Sequence, residues 1–297
     1  MTIASFSSND RDPAVRIRLG RCVYCGSTRY REKDDRRLGD EHVIPESLGG
    51  NLILEQAACE GCERKVNLFE QSIMKTVLYA PRVHLGIRRK KRKRGEDTIT
   101  LDATVNGKEV KISLPIKRVP LMLFFIMMDS PGVLIGRPAH IPSFNGAWVK
   151  PFLEDGPRMP QGLQGMATPA LDTHKFMQFL AKIAHCYAVS ALGDELIPLL
   201  PDIILADPAP PPNFNLIGGY GNSHTGDPTA SLHELDLSWQ SSYGVEYAIV
   251  RIRMFAKLGA PTYRVVVGQR PVRQLMEIED EPPLHEGLHR RDGQAGV

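Results

Sequence analysis

The chain carries two Cys-x-x-Cys pairs, Cys22-Val23-Tyr24-Cys25 and Cys59-Glu60-Gly61-Cys62, separated by 33 residues. Two such knuckles supply four thiolates, which suffice for one tetrahedral zinc site with bonds of about 2.3 Å. A shared ion would tie two distant stretches to a single point, and no other feature restricts the fold as much. In a reducing compartment, pairs of this spacing bind metal more often than they form disulfides. The gap in a simple ribbon is roughly 15–20 residues, so about 15 extra residues are inserted here. A purely structural zinc ribbon would not need that insert.

The insert reads Asp40-Glu41-His42-Val43-Ile44-Pro45-Glu46-Ser47-Leu48-Gly49-Gly50-Asn51. A carboxylate beside a histidine, then Ile-Pro, a Gly-Gly loop and a second knuckle, resembles the HNH endonuclease family over residues 22 to about 75. The resemblance implies a β-hairpin and a helix (the ββα-metal motif) that hold one divalent ion, with the zinc knuckles pinning hairpin to helix. It makes His42 the general base, because a neutral imidazole near pH 7 can take a proton from water. It places Glu41 on a hard ion such as Mg²⁺ or Mn²⁺, which prefers oxygen ligands. Asn51 corresponds most nearly to the motif's middle Asn, which shapes the loop and orients His42. At the third motif position many members have Asn or His; this chain has Glu63, which still offers oxygen, and Asn67 four residues on is the reserve ligand. Glu70 is expected to be surface or structural.

Charge is divided unevenly. Residues 1–95 hold 20 Lys and Arg against 12 Asp and Glu, and the remainder hold 17 against 22. The basic part ends in Arg88-Arg89-Lys90-Lys91-Arg92-Lys93-Arg94, seven consecutive cations. Beside a nuclease motif this run is expected to clamp phosphates, positioning a strand without reading its sequence. DNA is therefore the expected partner, and the motif itself does not distinguish RNA. The 42% hydrophobic and 24% charged composition is that of a soluble globular protein. The longest apolar run, 121–128, spans eight residues, far short of the roughly 20 that a membrane helix needs. The N-terminus lacks a basic segment followed by an apolar core, so a cytoplasmic location is expected.

The fold class expected is α+β: an N-terminal zinc-stapled ββα-metal domain (1–95), a mixed α+β region (96–279) and a disordered tail (280–297). Residues 1–15 read as polar and loose. Alternating residues on either side of Asn106-Gly107 predict a hairpin over about 98–116 with a type I′ turn, and 121–128 suits a buried strand. Phe176, Phe179, Leu180, Ile183, Ala184 and Tyr187 recur at helical spacing, with Asp172 or Thr173 as cap and Gly193 as terminator. On that helix Cys186 is expected to be packed and His185 to lie on a polar face. Residues 207–213 are proline-rich and read as an extended linker or loop; 245–255 and 262–267 read as strands. Gly218-Gly219-Tyr220-Gly221 reads as a flexible turn.

Two functions follow. The first is a metal-dependent HNH endonuclease acting on DNA, in restriction, phage defence or mobile DNA, with Cys22, Cys25, Cys59 and Cys62 on structural zinc. Its C-terminal region would dock substrate, bind a regulatory ligand or form a homodimer. The second is a zinc-ribbon nucleic-acid-binding protein that does not cut, favoured by Glu63 at the usual Asn/His position.

Overall fold

A computed structural model describes residues 2–31, 36–87, 98–115, 121–139, 144–152, 161–166, 171–206, 214–220 and 230–271. The basic run 88–94, the linker 207–213 and the tail 280–297 lie outside the described residues. The first part of the chain contains β1 (Thr2–Ser8), β2 (Val15–Arg18), β3 (Gly39–His42), β4 (Leu52–Ala58), α1 (Glu60–Lys75) and α2 (Tyr79–His84). The second contains β5 (Thr98–Val105), β6 (Lys108–Pro115), β7 (Leu121–Met128), β8 (Phe144–Phe152), β9 (Leu163–Met166) and α3 (Thr173–Leu192). After these come α4 (Pro201–Ile204), β10 (Ile217–Gly219), β11 (His233–Ser242), β12 (Val245–Met254) and β13 (Tyr263–Pro271). This is a mixed α+β architecture.

β3 and β4 pair antiparallel and α1 follows at once, giving the ββα unit; β2 adds to the far edge of β4 in parallel. The expected 98–116 hairpin is β5–β6, where Asn106 and Gly107 have φ of 50° and 76°, the two left-handed residues of a type I′ turn. The 121–128 stretch forms β7, paired with β8. In the largest sheet the order is β1-β11-β12-β13-β10.

Two expectations are corrected by that sheet. Residues 2–8 are not loose: they form β1, an edge strand paired with β11, so the N-terminus belongs to the C-terminal sheet. Residues 217–219 are not a flexible turn but the buried strand β10, paired with β13.

α3 lies between the ββα unit and the five-stranded sheet. Asp172 caps it, its side chain accepting from Lys175 N at 3.1 Å. Every residue from Phe176 to Val189 is buried, as expected of a helix covered on all sides. His185 is therefore not on a polar face; the helix has none along this stretch, because both flanks are occupied. One continuous core runs from Cys22, Val66 and Phe69 through Phe176 and Phe179 to Val250 and Val265. The regions expected to meet at 95/96 thus share a core.

Candidate functional site

The two knuckles meet at the start of α1. Cys59 is its N-cap and Cys62 lies in its first turn, while the Cys22–Cys25 turn is tied to β4 by Val23 N donating to Ala57 O at 2.7 Å. The four sulfurs lie within 4.8 Å of one another, with Cys25 and Cys59 Sγ 3.6 Å apart. Four sulfurs at about 2.3 Å from one ion would stand about 3.8 Å apart, so the set fits zinc. A hydrogen bond from Cys62 pulls the Cys22 thiol down to about 4, and the same bond pushes Cys62 up. Among the described residues this is the single group of three or more Cys, His, Asp or Glu close enough to hold an ion.

β3 carries the Glu41-His42 pair, and its local geometry separates the two side chains. Gly39 pairs with Ala58 but Glu41 pairs with Leu54, so β4 bulges by two residues between them. Gln56, in the bulge, has φ of 53°, and its N–H is taken by Asp40 Oδ1 at 3.1 Å. Beyond the bulge the strand alternates normally. Glu41 points inward and is 8% exposed; His42, half-buried, points out.

His42 lines an open cavity of about 510 Å³ together with Asp40, Glu46 and Asn51, facing Asp10, Asp12 and Arg16. The loop that shapes it depends on Gly50, where a Cβ would come within 1.9 Å of the Ile44 carbonyl oxygen, so no other residue fits without moving the backbone. Asn51 is 9% exposed; its Nδ2 donates to Pro13 O at 3.1 Å, and its Oδ1 is buried without a hydrogen-bond partner. Arg16 is held by Glu55 at 3.0 Å and lies 3.8 Å from Asp40. Ile87, the last described residue before the basic run, is also part of the lining.

Glu41 meets different company. Lys182 Nζ, from α3, stands 2.8 Å from Glu41 Oε1 and 2.8 Å from Glu70 Oε1. It also donates to the His42 carbonyl and lies 3.4 Å from that of Val43. Burial opposes the charge on Lys182, but Glu41 and Glu70 outweigh it and hold its pKa above the usual lysine value. Burial raises the Glu70 carboxyl, and the Glu41 charge adds to this against the pull of Lys182.

The expected ion ligands do not converge. Glu63 accepts from the Tyr30 hydroxyl at 3.0 Å and lies beside Gly39, at the start of β3. Glu41 is two strand residues further on, roughly 7 Å away. The helix carboxylate that meets it is Glu70, two turns along α1 from Glu63. Asn67 is half-buried between them. With Lys182 seated between Glu41 and Glu70, the set Glu41, Glu63 and Asn67 does not fit a hard divalent ion in this arrangement. Sequence reasoning missed Lys182; Glu70, expected to be surface or structural, is half-buried and pairs with it. The available signal was a lone lysine in the apolar stretch Phe179–Val189.

A family model described as HNH endonuclease matches residues 22–75. That match covers the two knuckles, β3, β4 and the whole of α1. No curated protein and no solved structure matches the chain. No helix among the described residues is long and apolar enough to cross a membrane.

Proposed function

We propose that this protein is an HNH endonuclease that hydrolyses phosphodiester bonds in DNA, with His42 as the general base. The observation that carries this reading is the position of His42 at the end of β3 in the family's ββα unit, facing an open cavity. There its imidazole takes a proton from water, the water oxygen bonds to phosphorus, and the bond to the leaving sugar oxygen breaks. Asn51 Oδ1, buried on the same lining, is an acceptor able to fix the attacking water. Arg16 presents a guanidinium to the phosphate, and the sequence runs on from Ile87 into seven cations that would neutralise further phosphates. Zinc on the four cysteines would hold the Cys22–Cys25 turn against the head of α1. The setting in restriction, phage defence or mobile DNA rests on the family alone.

One observation favours a second reading, a nucleic-acid-binding protein that does not cut: Glu41, the family's ion ligand, is paired with Lys182. Plasmid and linear-DNA cleavage by the full chain, in Mg²⁺, Mn²⁺ or EDTA and beside His42→Ala, separates the two. The nuclease reading expects a loss of about 10²–10⁴-fold in rate for His42→Ala, with binding retained. Cleavage that survives the substitution would overturn the assignment of the base. Salt-sensitive binding without cleavage would establish the second reading.

A further inference from the structure

A cation held by several protein oxygens is what the family leads one to expect beside Glu41, and the structure has one: the ammonium of Lys182. The Lys182 side chain is wholly buried, and four oxygens from the hairpin region and α1 surround its nitrogen: Glu41 Oε1, Glu70 Oε1 and the carbonyls of His42 and Val43. A buried ammonium is tolerable only when paired and hydrogen-bonded in this way. Mg²⁺ would require the same carboxylates at about 2.0–2.1 Å. Two cations competing for them in a site this dry repel strongly. Lys182 has no path of retreat, since α3 is covered from Phe176 to Val189.

We propose that Lys182 is the permanent cation of the Glu41 site, occupying the place of a divalent ion between Glu41 and Glu70, and that it is the positioning residue that fixes the His42 end of β3. Two contacts on the same face of the site extend this anchoring: His185 Nε2 lies 2.8 Å from Val23 O, and Cys186 Sγ lies 3.6 Å from the Tyr24 hydroxyl. The proposal rests on reading Glu41 and His42 as the family's site residues. It adds that α3, from outside the matched segment, completes that site. In consequence, Glu41 does not bind metal in the folded chain.

The test is Mn²⁺ binding to the full-length protein with its zinc content verified, followed by water-proton relaxation. Glu41→Gln leaves Lys182 with Glu70 and is expected to change Mn²⁺ affinity less than about twofold, whereas loss of a true ligand costs about tenfold or more. Lys182→Met, shown to be folded by its melting transition, is expected to gain about tenfold or more, and Lys182→Met/Glu41→Gln to lose that gain. A parent protein that binds no Mn²⁺ also supports the proposal. Tenfold weaker binding in Glu41→Gln, with Lys182 in place, overturns it, as does a folded Lys182→Met that gains nothing. Should Lys182→Met not fold, the parent and Glu41→Gln decide alone. Failure of the nuclease reading shows elsewhere, as absent cleavage or as cleavage that survives His42→Ala.

Discussion

The two faces of β3 differ in nearly every physical respect, although Glu41 and His42 are adjacent. The inner face is closed and dry, with an ion cluster assembled from β3, α1 and α3. The outer face opens onto a cavity lined by Asp10, Asp12, Asp40 and Glu46, with Arg16 at its edge. A charge on the inner face must find its countercharge within the protein, because water is absent. On the outer face water is at hand, and an imidazole can exchange protons with it. Under the proposed reading Glu41 is architectural and His42 does the chemistry, and the two are kept apart by the alternation of one short strand.

The strongest challenge to this contrast is removal of zinc, which would dismantle both faces. Structural zinc contributes about 10–16 kcal/mol of apparent binding free energy in small domains. A strong chelator, or Cys62→Ser, is therefore expected to abolish the cooperative melting of the ββα unit and to release one zinc per chain in a colorimetric assay. Lys182→Met comes next. It leaves two buried carboxylates without a cation and should cost about 3–5 kcal/mol in urea unfolding. Most of that loss should be recovered in Lys182→Met/Glu41→Gln/Glu70→Gln.

Acid tests how the loop behind the outer face is anchored. His233 is 1% exposed; its Nε2 lies 2.8 Å from Leu48 O and its Nδ1 accepts from Phe255 N at 3.4 Å, an arrangement for the neutral ring. Burial lowers its pKa to about 4. Because the folded value lies below the unfolded one, the stabilisation is complete above about pH 6.5 and is lost as pH falls towards 4. The loss amounts to about 3 kcal/mol at 1.36 kcal/mol per unit. Urea titrations at pH 7 and pH 4.5 measure it, and His233→Gln should flatten the dependence. The smallest effect sharpens the contrast most directly. Glu41→Ala strips a partner from a buried ammonium and should cost about 1–3 kcal/mol, whereas His42→Ala, half-exposed, should stay within about 0.5 kcal/mol of the parent. Equal costs would mean that the two faces are not distinct.

Much of this was legible in the residues. Local rules sufficed where local chemistry decides: Asn106-Gly107 demands a tight hairpin turn, and Asp172 and Gly193 bracket α3. The knuckle spacing and the Glu-His pair located the ββα unit. Reasoning from the residues failed where burial came from distant partners. Residues 2–8 look polar and loose because an edge strand needs only one apolar face, and the partner that orders them, β11, lies more than 220 residues away. His185 looked like a polar-face residue because a helix normally has one, and α3 has none between its two neighbours.

The sequence by itself determined the four thiols, the ββα unit and the opposite facing of Glu41 and His42, since each depends on short spacings and on the two-residue period of a strand. Only the tertiary structure decided what Glu41 does. Its partner stands 141 positions away on a helix whose periodicity says only that it is buried, and an ammonium and a divalent ion make the same demand on a carboxylate. Which cation meets that demand depends on packing α3 against the hairpin, and no spacing within residues 22–75 records it.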